Sequence, residues 1–175
     1  MATTFTKIAT VEVGSGGASS IDFTVIPSIY TDLVIKLSGR VAGTGTGTQA
    51  KFQFNGSSSG YSDLTTEGNG STTASFPRTG SSYIYLLTLL QGGGGNPSPN
   101  TWGNADIYIP NYAGSNSKSV SAEGVTEYNG SAAYIELVSG LWANSSAITS
   151  ISITSQDSSN FVQYSTATLY GVKNA

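Results

Sequence analysis

Neither cysteine nor histidine occurs anywhere in the 175 residues. That excludes a disulfide framework, a thiolate nucleophile, a zinc site built on Cys or His, and an imidazole base. A Ser-His-Asp triad is impossible without its middle member. Charge is almost as scarce. Asp, Glu, Lys and Arg make up 10% of the chain, against about 25% in an ordinary soluble domain. The seven basic residues (Lys7, Lys36, Arg40, Lys51, Arg78, Lys118, Lys173) are scattered singly, and the net charge is -3. A nucleic-acid partner calls for clustered cations, so none is expected. Long apolar runs are missing too. The longest, near 83–90, falls far short of the ~20 residues that span a bilayer. The opening Met-Ala-Thr-Thr-Phe-Thr-Lys segment has neither a basic n-region nor an apolar h-region, so no signal peptide and no membrane association are expected. Met1, the single methionine, is read as a translation start.

What is present is glycine (22 residues), serine, threonine and apolar residues in alternation. Every second residue is apolar in Ile21-Asp22-Phe23-Thr24-Val25, Leu33-Val34-Ile35-Lys36-Leu37, Lys51-Phe52-Gln53-Phe54 and Ala105-Asp106-Ile107-Tyr108-Ile109. The pattern returns in Tyr134-Ile135-Glu136-Leu137, Ile151-Ser152-Ile153-Thr154 and Ala167-Thr168-Leu169-Tyr170. Side chains alternate across a strand, so each run makes one dry and one wet face. Val, Ile, Thr, Tyr and Phe suit that surface. No window carries a helical stripe; helix is expected only as one short turn near 58–64. Asn-Gly pairs at 55–56, 69–70 and 129–130, and glycine-rich stretches at 14–17, 43–47 and 92–95, punctuate the runs. The expectation is a single all-β domain over 1–175: eight or nine strands in a two-sheet antiparallel β-sandwich. Long loops are expected near 57–82 and 91–101, and long loops in a compact domain are commonly contact surfaces.

Several motifs invite chemistry and fail on context. Gly43-Thr-Gly-Thr-Gly resembles a phosphate loop, but a strand-like run follows where a helix N-terminus is required. Asp63 and Glu67 lie in the expected loop and could meet as a hydrolytic carboxylate pair. Asp22, Asp106 and Glu136 occupy the wet-face positions of their strands. Lys118 sits between Ser117 and Ser119, but neighbouring strand residues point opposite ways. No catalytic residue, cofactor site or metal site is therefore expected. Among the aromatics, Tyr61, Trp102, Tyr112 and Trp142 fall in or beside loops, next to Asn and Gly. Such residues suit a protein interface, a sugar-stacking platform or plain packing.

Four segments carry a family resemblance: Ile21-Asp-Phe-Thr-Val-Ile-Pro-Ser-Ile-Tyr-Thr-Asp-Leu-Val-Ile35, Phe52-Gln-Phe-Asn-Gly56, Asp106-Ile-Tyr-Ile-Pro-Asn-Tyr-Ala113, and the C-terminal run. The last contains Ser139-Gly-Leu-Trp142 and ends Leu169-Tyr-Gly-Val-Lys173. Together they resemble the jelly-roll module of virion proteins from tailed phages of cyanobacteria and marine bacteria. That module occurs as a capsid decoration (cement) protein and as an outer domain of head and tail fibres. The resemblance implies a jelly-roll fold, no enzymatic activity, and synthesis in the host cytoplasm followed by residence on the outer capsid surface. It implies the major capsid protein as partner and self-association, most simply as a homotrimer. The alternative it leaves is a fibre or receptor-binding module that meets a host-surface glycan. Scarce charge agrees with either, because a face destined to be covered costs less to desolvate when few ionised groups lie on it.

Overall fold

The computed structural model describes residues 4–43, 45, 47–91, 100–127 and 133–173. It is all-β, with no helix among those residues, and its strands form two antiparallel sheets packed as a sandwich. The strands in chain order are β1 (Phe5–Glu12), β2 (Ser20–Phe23), β3 (Asp32–Val41), β4 (Gly47–Phe54), β5 (Tyr61–Gly68) and β6 (Thr73–Ser81). Then follow β7 (Ile84–Gln91), β8 (Gly103–Ile109), β9 (Lys118–Thr126), β10 (Tyr134–Trp142), β11 (Ile151–Ser155) and β12 (Thr166–Val172). The large sheet runs β1-β12-β3-β8-β9-β10-β5-β6. The small one runs β2-β11-β4-β7. A two-residue parallel pairing of Arg40–Val41 with Leu90–Gln91 stitches them at one corner.

Between the sheets lie Leu33, Ile35 and Leu37 of β3, Ile107 of β8 and Leu169 of β12, facing Phe52, Leu86 and Ile153 of the small sheet, all buried. These are the apolar members of the alternating runs, so the core is the one the pattern calls for. The described residues form twelve strands, more than the eight or nine expected. The difference lies mostly in 57–82, which is not an irregular loop but the β5–β6 hairpin. Nor is there a helical turn at 58–64, where Tyr61 opens β5. The hairpin escapes the apolar pattern because Asp63 and Thr65, two of the three buried positions of β5, are polar. Its turn is Asn69-Gly70. The Asn69 carboxamide oxygen accepts from the Ser71 and Thr72 amides (3.0 and 2.8 Å), and Gly70 takes the left-handed φ of +85° that the reversal needs. Asn55-Gly56 is also a turn, with both φ values positive. The Asn55 side chain then accepts from Thr149 and Ser150 amides and donates to the Ala147 carbonyl, tying the 147–150 loop to β4. Asn129-Gly130, the expected 92–95 glycine loop and most of 91–101 lie outside the described residues.

Candidate functional site

Of the four aromatics singled out, three are inside. Trp142 stacks on Tyr61 (centroids 6.0 Å apart, planes at 16°) and meets Phe54 edge-on at 5.7 Å. The Tyr61 hydroxyl accepts from the Phe54 amide at 2.8 Å, and burial pushes its pKa above the ordinary tyrosine value. Tyr112 is fully buried and donates to the Pro27 carbonyl. Tyr61, Tyr112 and Trp142 therefore close the lower end of the core and present no platform. Tyr61 begins a strand, Trp142 ends one and Tyr112 lies in the turn after β8, and adjacency to a loop is not exposure. Trp102 alone is half-buried at a hollow of about 490 Å³, which it lines with Arg40, Asn100, Gln163 and Tyr164. Tyr164 is exposed and held at φ +71°, a conformation costly for a bulky residue. Arg40 donates to the Thr101 carbonyl at 2.7 Å, and burial lowers its pKa.

The carboxylate and lysine candidates do not assemble a reaction centre. Asp63 is buried and holds Arg78 at 2.6 Å. Glu67 lies four residues along the same strand, which puts the two Cα atoms about 13 Å apart, outside the spacing of a glycosidase pair. Lys118 is not on a solvated strand. Its buried ammonium donates to the carbonyls of Gly114 (2.8 Å), Asn116 and Asn144 (3.4 Å), pinning two loops together, and desolvation lowers its pKa. Glu136, expected on a wet face, is fully buried and opposite Glu67 in the strand register. Among the described residues, no three acidic side chains lie close enough to hold a metal ion.

The feature that sequence reasoning missed is the outer face of the large sheet, which nothing among the described residues covers. Register lets it be read as rungs across the strands. One rung runs Lys36-Asp106-Glu123-Leu137-Thr66-Ser75 from β3 to β6. The rung on one side of it runs Ser38-Asn104-Val125-Ile135-Gly68-Thr73, and the rung on the other runs Val34-Tyr108-Ser121-Ser139-Leu64-Pro77. On the β3–β8 side the face is conventional. Lys36 pairs with Asp106, and the Tyr108 hydroxyl donates to Asp32 at 2.8 Å, a bond that raises the Tyr108 pKa. On the β9–β10–β5 side it is apolar. Ile135 and Leu137 are 60% and 59% exposed, and Leu64, Leu141 and Val125 are exposed beside them. Two grooves of about 350 and 240 Å³ cross the boundary, and both are lined by Asp106, Glu123 and Leu137.

β10 turns its aliphatic residues outward because its other parity is already committed. Val138 and Trp142 are buried, and a strand's period of two then sends 136 inward with them and 135, 137 and 141 outward. Comparison of the chain with protein-family models, curated proteins and solved structures returned no match.

Proposed function

We propose that this chain is a structural protein of a phage virion, a decoration protein that binds the outer capsid surface and stabilises the shell. The observation that carries the reading is the uncovered sheet face, on which Ile135, Leu137, Leu141 and Leu64 stand exposed with Glu123 as the one charge among them on β9, β10, β5 and β6. Contiguous apolar surface of this kind marks contact sites on soluble proteins. The sequence resemblance names the contact: the major capsid protein. We further read the sandwich as a jelly roll. In that fold the strands of one sheet follow the chain order first, last, third, sixth, and those of the other second, seventh, fourth, fifth. What supports this is that β1-β12-β3-β8 follows the first of these orders and β2-β11-β4-β7 the second once the β5–β6 hairpin, β9 and β10 are set aside as strands that extend the large sheet past β8.

Self-association into a ring, most simply a homotrimer, would multiply each small contact and raise avidity. The test is copy number and shell strength. Mature particles should contain the protein at a stoichiometry matching their symmetry positions, and particles lacking it should lose genome at a lower temperature. Unchanged thermal release from particles without it overturns the reading.

The hollow beside Trp102 and Tyr164 favours a second reading, a fibre or surface module binding a host glycan. Two aromatic rings flanked by Asn100, Gln163 and Arg40 offer a sugar both stacking faces and amide hydrogen bonds. A glycan array probed with wild type and Trp102→Ala decides it, because retention confined to wild type is required.

A further inference from the structure

Leu137 and Glu123 face one another across β10 and β9, and Glu123 also stands opposite Asp106 across β8. Like charges directly opposite on neighbouring strands are unfavourable. The one cation in the row, Lys36, lies beyond Asp106 and is paired with it. Glu123 is thus an exposed carboxylate flanked by a second carboxylate on one side and an aliphatic chain on the other, at the wall shared by two grooves. We infer that this junction is the socket for a partner side chain with an apolar stem and a cationic head, an arginine or lysine presented from an otherwise apolar protein surface. The stem would lie along Leu137, and the head between Asp106 and Glu123, the division of labour such side chains perform at interfaces.

A second copy of this chain does not supply that cation. Arg78 is held by Asp63, Lys118 and Arg40 are buried on loop carbonyls, Lys36 is on Asp106, and Lys51 lies over the Tyr83 ring. Lys7 and Lys173 remain, both at the β1 edge. A face-to-face twofold that lays Lys7 of one copy on Glu123 of the other must centre on β3, midway between β1 and β9 in the sheet order. The partner's sheet would then end at β9, leaving Ile135, Leu137 and Leu64 uncovered. Such a dimer leaves the apolar half bare while it fills the acidic junction, so the occupant proposed for the whole surface is a different protein.

The identification of that protein with the capsid rests on the function proposed above; the chemistry of the socket does not. The experiment therefore has two arms. In the first, wild type, Ile135→Ser/Leu137→Ser and Glu123→Lys, each checked for an unchanged melting temperature, are titrated onto shells stripped of the protein. The double variant should bind at least about thirty-fold more weakly, the range of an interface hot spot, and Glu123→Lys about ten-fold more weakly. Wild-type affinity in both variants overturns the inference. In the second arm butylguanidinium and butanol are titrated into the full-length protein, and amide shifts are mapped. Shifts confined to 106, 121–125 and 135–139 with butylguanidinium, absent with butanol and absent in Glu123→Lys, support the socket; no localised shifts overturn it. Failure of wild type to bind shells alongside a positive second arm removes the capsid reading and keeps the socket. Concentration-dependent dimers of wild type that dissolve in Ile135→Ser/Leu137→Ser overturn the choice of a foreign partner.

Discussion

In β3, Leu33, Ile35 and Leu37 point into the sandwich and Lys36 points out; in β10, Glu136 points in while Ile135 and Leu137 point out. Both strands alternate and both belong to one sheet, yet they use alternation in opposite senses. Apolar transfer energies do not choose the sense for β10. Burying Ile135, Leu137 and Leu141 in place of Val138 and Trp142 would exchange amounts that are each roughly 5–8 kcal/mol at about 25 cal/mol per Å². Space decides. A Cβ added at Gly140 would stand 2.9 Å from the Ile84 side chain, so the inner row of β10 has room for glycine where the other parity would put leucine. The indole, at the sandwich end between Tyr61 and Phe54, has the room that Gly140 lacks. One half of the sheet therefore spends its aliphatic residues on the core and the other leaves them on the surface. Departure from the inside-outside rule with no gain in stability is what a contact site looks like.

The contrast breaks most sharply at its anchor. Trp142→Ala should cost about 3–5 kcal/mol of unfolding free energy, read from urea titrations. Leu137→Ala, on the same strand and larger than many core deletions, should stay within about 0.5 kcal/mol. Comparable losses in the two would mean that β10 has no inner and outer sense. Next in size is Gly140→Ala, expected to cost about 1–3 kcal/mol through overpacking against Ile84. Ile84→Val removes the nearest atom, so the pair of changes should cost less than the sum of each alone, and additivity in the double-mutant cycle would show that the clash is relieved elsewhere.

The anchoring end also carries a pH signature. Burial raises the pKa of Tyr61 and of Tyr112 above 10.0. The unfolded chain thus releases these protons at lower pH than the folded one, so their contribution is complete below pH 10 and is lost as pH climbs through the folded values. Stability should fall on the alkaline side, and Tyr61→Phe should flatten part of that fall, measured as unfolding midpoints between about pH 9 and 11. A slope identical to wild type would place the titration elsewhere.

Much of the sandwich was legible because a buried antiparallel strand declares itself when its inner residues are apolar, as in β2, β3, β8 and β11. β5 and β6 were not, because Asp63 and Thr65 fill the inner places there and Arg78 reaches across to satisfy the first. The parity of β10 was illegible for a different reason. Tyr134-Ile135-Glu136-Leu137 alternates cleanly, and taken alone it assigns Ile135 and Leu137 to the core. Extending the run to Trp142 gives both parities large apolar members, and a strand apolar on both faces must leave one of them outside the core when the other faces the opposite sheet. The candidate platform suffered from the same shortness of view, since Tyr61, Tyr112 and Trp142 sit next to loops in sequence but beneath them in space.

The smallest expected effect bears most directly on what the outer face is for. Glu123 opposes Asp106 in register, with Lys36 already committed to Asp106. Glu123→Gln removes a repulsion and deletes no exposed ion pair, so the isolated protein should become more stable by a few tenths of a kcal/mol, about 1 °C in melting temperature for a chain of this size. Added salt should narrow the difference, because screening weakens the same repulsion. A carboxylate that costs the free molecule stability, in a chain with so few charges, needs a reason outside the fold. A melting temperature lowered by Glu123→Gln would instead make Glu123 an ordinary structural residue and take the electrostatic half of the contrast away.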